Sequence, residues 1–377
     1  MINPIRVFTE KNHGVEKDWR NHLIHPIRAY WGDGTPEWDK WKKDFKFYKK
    51  YFVISDEPQN SDVAFLPFTL NYYSNNNKIE MLNNFVSKMQ QVDKKVFVWV
   101  EGDYDVIFEH PNCIFIKYGG SKLKSISNEI IQPGDLKNDL LKKYYDGRVQ
   151  IRKKNDKPSV GFVGFADFTI TQLVLLIIKN CLKNFQYSFQ NTLFESGPII
   201  PHLVHRKATL NKINNEPGIM SNFIIRKSFA EGIRNNDRNA RVTFIDNIIN
   251  NDYTFCMRGG GNYSLRFYET LCLGRIPIFI NTDCILPFHD EINWKENCIW
   301  INEPDIKNIG KKILKFHANL TETQFIKMQH NNRKLWETYF SKSGFCRFSL
   351  HIICLVRGMI RFFFFFTDVK NKVRWTF

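Results

Sequence analysis

Asp252-Tyr-Thr-Phe-Cys-Met-Arg258-Gly-Gly-Gly-Asn262-Tyr-Ser264-Leu-Arg266-Phe-Tyr-Glu269-Thr-Leu-Cys-Leu-Gly274-Arg-Ile-Pro277-Ile-Phe-Ile is the stretch on which the fold turns. Tyr253–Met257 is short, mostly apolar and ends at a glycine run, as a buried strand does. The three glycines permit close backbone approach, and Ser264 stands where it can cap a helix over Ser264–Leu273. Leu265, Tyr268 and Cys272 form an apolar stripe that would pack this helix on a sheet. Gly274 stops the helix, and Pro277 opens a second strand, Ile276–Ile280. Strand, glycine turn, helix and strand in that order make one unit of a parallel α/β layer.

The alternation extends in both directions. Ser159–Val163, closed by Gly164, leads into a helical pattern over Ala166–Asn184. A looser stretch with Gly197, Pro198, Pro201 and Pro217 follows, and then an expected helix over Ile224–Glu231. Downstream, Cys298–Asn302 reads as a strand, and Asp305–His317 and Glu322–Phe340 as helices. Upstream, strands are expected at Ile5–Thr9, Val63–Pro67, Lys95–Val100 and Cys113–Lys117, with a helix over Asn75–Val92. The polar run Arg148–Pro158 reads as a linker. Two α/β domains are therefore expected, residues 1–150 and 151–340, with 341–377 as a tail and ligands at the carboxyl ends of the strands.

A chain of 377 residues that is 43% hydrophobic can bury two such cores, and 34 Phe argue against disorder. The net charge of +16 suits an anionic partner: a sugar nucleotide, an acidic glycan, nucleic acid or a lipid headgroup surface. Lysine pairs such as Lys42-Lys43, Lys49-Lys50 and Lys142-Lys143 are scattered, so a solvated surface is the plainer alternative. Eight cysteines without a Cys-x-x-Cys pair suggest a reducing compartment and no zinc site. Ten histidines lack paired ligand spacing and Asn281-Thr-Asp283 supplies one carboxylate, so no metal and no bound cofactor is expected. The opening residues lack a signal-peptide pattern, and a cytoplasmic protein is the expectation. In the tail, Arg347, His351, Arg357 and Arg361 punctuate an apolar run ending in Phe362–Phe366. Those charges oppose a spanning helix and leave a basic amphipathic helix on a membrane surface, or a segment packed back on the body.

The quoted stretch also carries candidate chemistry. A helix start behind a glycine loop attracts phosphate, and Gly260, Gly261, Asn262 and Ser264 would frame it. Arg258 and Arg266 flank the loop and could grip a diphosphate through bidentate, charge-assisted hydrogen bonds; Arg206 could add a third guanidinium. Glu269, one turn after Arg266, could accept hydrogen bonds from ribose hydroxyls. The alternative is an ordinary surface pair between Arg266 and Glu269. Departure of a nucleoside diphosphate also needs a base for the incoming hydroxyl. Glu101, Asp103 and Asp105 follow a predicted strand, and Asp283 follows another; each could equally be a turn former or helix cap. His202 and His205 read as local hydrogen-bond partners.

Arg258–Phe288, with Gly-Asn-Tyr-Ser-Leu-Arg-Phe-Tyr-Glu, Gly-Arg-Ile-Pro-Ile and Asp283-Cys-Ile-Leu-Pro-Phe288, resembles the exostosin domain of glycosyltransferase family 47; the similarity is most specific over 252–290. Ser61-Asp62-Val-Ala-Phe-Leu-Pro-Phe68 resembles a second stretch of that family. The resemblance implies a GT-B fold of two facing Rossmann-like domains and a metal-independent, inverting transfer from a nucleotide sugar, commonly a UDP-sugar. It implies that Arg266 binds diphosphate and Glu269 ribose. The expected partners are thus a nucleotide-sugar donor and a glycan or lipid-linked glycan acceptor, with peripheral membrane contact through the tail and no nucleic acid; surface polysaccharide synthesis is the expected setting. The competing expectation is a non-catalytic basic protein that binds nucleic acid or an anionic membrane.

Overall fold

The computed structural model describes residues 3–32, 39–102, 105–125, 128–134, 139–189, 193–194, 197–228 and 238–347. Eleven strands are found among them: β1 Ile5–Phe8, β2 Phe52–Ser55, β3 Val63–Phe65, β4 Val96–Trp99, β5 Cys113–Lys117, β6 Glu129–Ile131, β7 Ser159–Phe165, β8 Met220–Arg226, β9 Tyr253–Cys256, β10 Ile276–Asn281 and β11 Ile299–Asn302. The helices of the first half are α1 Glu16–His22, α2 His25–Trp31, α3 Asp39–Tyr48, α4 Leu70–Asn75, α5 Ile79–Gln91 and α6 Leu140–Tyr144. Those of the second are α7 Ile170–Phe189, α8 His202–Asn214, α9 Arg238–Ile249, α10 Leu265–Cys272, α11 Ile309–Asn319 and α12 Glu322–Leu335.

The strands form two parallel sheets, ordered β2-β1-β3-β4-β5-β6 and β11-β10-β9-β7-β8. Parallel strands buried on both faces read as continuous apolar runs, and β9 is buried at all four positions. One face of the second sheet carries Leu210, Ile213, Ile309, Ile313 and Phe325 from α8, α11 and α12. The other carries Ile245, Ile248, Phe267 and Leu271 from α9 and α10. The two units touch where Tyr118 stacks on Tyr263, with ring centroids 6.0 Å apart. This is the expected GT-B-like architecture of two facing Rossmann-like units.

Three expectations change. Residues 220–226 form strand β8, not the start of a helix over Ile224–Glu231, because seven residues pair in register with β7. A run as mixed and short as Met-Ser-Asn-Phe-Ile-Ile-Arg suits either state, and pairing along β7 decides it. Leu265 faces away from its sheet and is 45% exposed, while Tyr268 and Cys272 are buried as expected. A Cβ at Gly134 would lie 2.0 Å from Leu265 Cδ2, so Leu265 instead lies against the first unit where only glycine leaves room. The run Arg148–Pro158 is no free linker. Arg152 Nε donates to Asp252 Oδ1 at 2.6 Å, and Gln329 bonds the Arg152 backbone on both sides, at 2.9 and 2.7 Å.

The chain also crosses between the units. Leu140 and Leu141 of α6 pack in the second core, whereas Phe194 and Phe345 pack in the first. Of the expected tail, residues 348–377 lie outside the described residues. Asp252, fully buried, anchors the polar run to the second sheet, accepting from Arg152, from Asn155 Nδ2 at 3.0 and 3.1 Å, and from Ser159 N at 2.8 Å. Removing one member of such a buried network strands its partners, so Asp252→Ala should lower unfolding free energy by about 3–5 kcal/mol in urea titration.

Candidate donor site

The carboxyl ends of β7 and β9 lie side by side, so the loops after Phe165 and Cys256 share one rim. Three arginines converge there. Arg266, on the first turn of α10, turns back over the sheet: Nη2 donates to Val163 O at 2.6 Å and Nη1 to Phe255 O at 3.4 Å. Its guanidinium lies 4.3 Å from the Phe162 ring centroid and 5.6 Å from that of Phe244. A Cβ at Gly164 would sit 2.8 Å from Arg266 Nη2, so the glycine that closes β7 makes room for this arginine. Arg206, on α8, donates from Nη1 to Phe165 O at 3.1 Å and from Nη2 to Arg258 O at 2.5 Å. Arg258 leans over its own loop, donating from Nη2 to Gly260 O at 3.2 Å.

Arg206 and Arg266 lean on backbone carbonyl oxygens. Burial pushes Arg206 down to about 10, helped by the nearby Arg266, and burial likewise lowers Arg266. His202, one turn before Arg206, is pushed down to about 4 by burial and then by Arg258, His205 and Arg206. The buried Arg206 Nε, Arg266 Nε and His202 Nδ1 find no hydrogen-bond partner among the described residues. Guanidinium groups held in this way have the charge and donor geometry to pair with a polyanion. His202 had read as a local hydrogen-bond partner; the structure sets it beside the arginines instead, a placement that needed the fold.

Glu269 does not pair with Arg266. Its Oε1 accepts from Arg241 Nη2 at 2.6 Å, and Arg241 lies over Phe244, the ring that also faces Arg266. Arg241 carried no signal in the sequence, since it sits on α9, far from the glycine loop along the chain. Ser264 occupies the N-cap position of α10 with extended backbone, yet its side chain makes no capping bond. Gly260 is exposed and Gly261 buried. Asn262 is turned away from the rim: Nδ2 donates to Gly120 O at 3.2 Å and Thr282 O at 3.1 Å, and Oδ1 accepts from Thr282 Oγ1 at 2.8 Å. It joins the two units.

The described carboxylate candidates are dispersed. Asp283, in left-handed backbone at φ 60°, accepts from Ser121 Oγ and, at 3.1 Å, from Leu123 N of the first unit. Asp105 stands 3.6 Å from Lys117 Nζ, which also pairs with Glu129 at 2.5 Å. Asp103 lies outside the described residues. Glu101 is exposed at the carboxyl end of β4, with Oε2 accepting from Thr69 Oγ1 at 3.3 Å. It edges a cavity of about 540 Å³ in the first unit, walled by Tyr48, Phe97, Trp99 and Tyr118 and closed by Phe345 and Cys346 from the far end of the chain. Among the described residues no three His, Cys, Asp or Glu gather as a metal-binding group.

The family model of the Exostosin GT47 domain matches residues 194–316, which include Arg206, Arg258, Arg266, Glu269 and Asp283 but not Ser61–Phe68. Exostosin-1 of Drosophila melanogaster is 32% identical over 89 residues, 23% of this chain and 11% of that protein. The Exostosin-1 homolog of Caenorhabditis elegans is 26% identical over 106 residues, 28% of this chain and 27% of that one. A crystal structure of a S. aureus TarM variant aligns with TM-score 0.34 and 10% identity, over 79% of this chain and 55% of the other. The chain thus spans about a tenth to a quarter of the length of these exostosin relatives. Over residues 194–316, which hold the glycine loop and α10, the chain is similar to the exostosin GT47 domain.

Proposed function

We propose that the chain is a glycosyltransferase that moves a sugar from a nucleotide-sugar donor, a UDP-sugar in the simplest case, to a hydroxyl of a glycan acceptor with inversion. The observation that carries this reading is the trio Arg206, Arg258 and Arg266, fixed by backbone carbonyls at the ends of β7 and β9 beside a glycine loop and helix start. Guanidinium groups already held in place lose little freedom on meeting a diphosphate, and their charge counts for more where water is scarce. Glu269, steadied by Arg241, stands one turn farther along α10 and is the acceptor group for ribose hydroxyls.

In the proposed step the acceptor oxygen bonds to the anomeric carbon as the bond from that carbon to the diphosphate oxygen breaks. The electron pair leaves with the nucleoside diphosphate, where the arginines neutralise it. The acceptor proton passes to a carboxylate on the first unit. Asp283 and Asp105 are engaged in holding backbone or lysine. Glu101 remains open at the mouth of the aromatic-walled cavity, whose size and lining suit sugar rings. We assign it as the base, and the cavity as the acceptor side.

Calorimetric titration with UDP and UDP-sugars should show binding that Arg206→Gln weakens by about tenfold to a hundredfold, the value of one charge-assisted contact. No binding of any nucleotide class, together with salt-sensitive binding to nucleic acid, would overturn the reading. Glu101→Gln should lower kcat by about a hundredfold or more with donor affinity unchanged.

His202 yields a pH prediction. Its folded value of about 4 lies below the ordinary 6.5, so the unfolded chain binds the extra proton between them. That contribution is fully present above pH 6.5 and is lost as pH falls through the window toward 4. Melting temperature without ligand should therefore fall on acidification across that range, and His202→Gln should flatten part of the slope.

A further inference from the structure

Helix α8 leads back to the start of β8, so it runs against the strands and begins on the side where the loops after β7 and β9 form the rim. Arg206, in its second turn, reaches that rim through Phe165 O and Arg258 O. His202 is the first residue of α8, behind Pro201 at the N-cap, and stands about 6 Å farther out along the helix axis than Arg206. Its Nδ1 is buried and meets no hydrogen-bond partner among the described residues. A buried polar atom in that condition costs stability, and a ligand that supplies the missing bond removes the cost.

Chemistry and position together say which part of a donor would supply it. Burial, and then Arg258, His205 and Arg206, keep the imidazole neutral, with one N–H and one lone pair. Diphosphate oxygens only accept, and the arginine trio offers them N–H groups. A sugar hydroxyl both donates and accepts, and of Arg206, Arg258, Arg266 and His202 only His202 can accept from it. Position agrees. Glu269 belongs to α10, which packs on one face of the second sheet, and His202 to α8, which packs on the other, with the arginines at the strand ends between them. A nucleotide sugar with its ribose at Glu269 and its diphosphate on the arginines therefore extends its sugar toward His202. We propose that His202 accepts a hydrogen bond from a hydroxyl of the transferred sugar and so helps to select that sugar, an assignment that rests on the nucleotide-sugar reading of the rim.

Calorimetric titration of the full chain with UDP, UDP-glucose, UDP-galactose and UDP-N-acetylglucosamine separates the sugar from the rest of the donor. For the sugar donor that the parent binds best, His202→Leu should weaken binding by about threefold to tenfold, the worth of one neutral hydrogen bond, while UDP itself changes by less than about twofold. His202→Asn, which keeps a polar atom near the place of Nδ1, should restore most of the loss. The melting temperature of His202→Leu at neutral pH should not fall, because Nδ1 has no partner among the described residues to lose. Equal weakening of UDP and the UDP-sugar would overturn the role of His202, as would no weakening of either while Arg206→Gln still lowers UDP affinity; both results leave the donor site standing. Binding of no nucleotide by the parent would overturn the donor site and His202 together.

Discussion

The close approach of two backbone segments, residues 119–121 of the first unit and 262 with 283–285 of the second, governs the rest of the structure. Ser121 and Cys284 form an antiparallel bridge, Lys122 N donates to Asp283 O at 2.9 Å and Ile285 N to Gly120 O at 3.1 Å. The approach is possible only because a Cβ at Gly119 would fall 2.8 Å from Asn262 O. Asn262 sits at the centre of this clasp, and the glycine loop hangs from it. The rim that carries Arg258 and Arg266 is therefore positioned by contact between the units as well as by the sheet beneath it. Paired polar groups in so tight a joint make its geometry specific, since each would be left unsatisfied by a shift.

Burial and charge act against each other at the arginine rim. Taking guanidinium groups from water weakens their hold on the proton, and the protein offsets this with carbonyl oxygens of Val163, Phe165, Phe255 and Arg258 in place of carboxylates. Dipoles orient the cations without neutralising them. Nearby carboxylates have their own cations: Glu269 pairs with Arg241 and Asp167 with Lys207. Beneath the rim the α/β core is apolar on both faces of the sheet.

Along α7 the aliphatic side chains of Ile170, Leu175 and Leu182 are exposed, while Asn180 and Asn184 tie the helix to the backbone of residues 197–199. Phe345 closes the first unit's cavity after the chain has traversed both units, so the residues lining that cavity come from positions distant in sequence.

Local order determined much of this protein. Buried parallel strands must be continuous apolar runs, so β5, β7, β9 and β10 were legible from their residues, as was α10 behind its glycines. The exostosin match follows that same segment. Tertiary contact alone decided the others. Residues 220–226 became a strand through the edge of β7, Glu269 took Arg241 instead of Arg266, and Asn262 and Asp283 became parts of the clasp between the units. His202 joined the arginines through the packing of α8. In each case the partner lies tens to hundreds of positions away in the chain, or on another helix, and hydrogen bonds and charges act through space, where spacing in sequence carries no record of them.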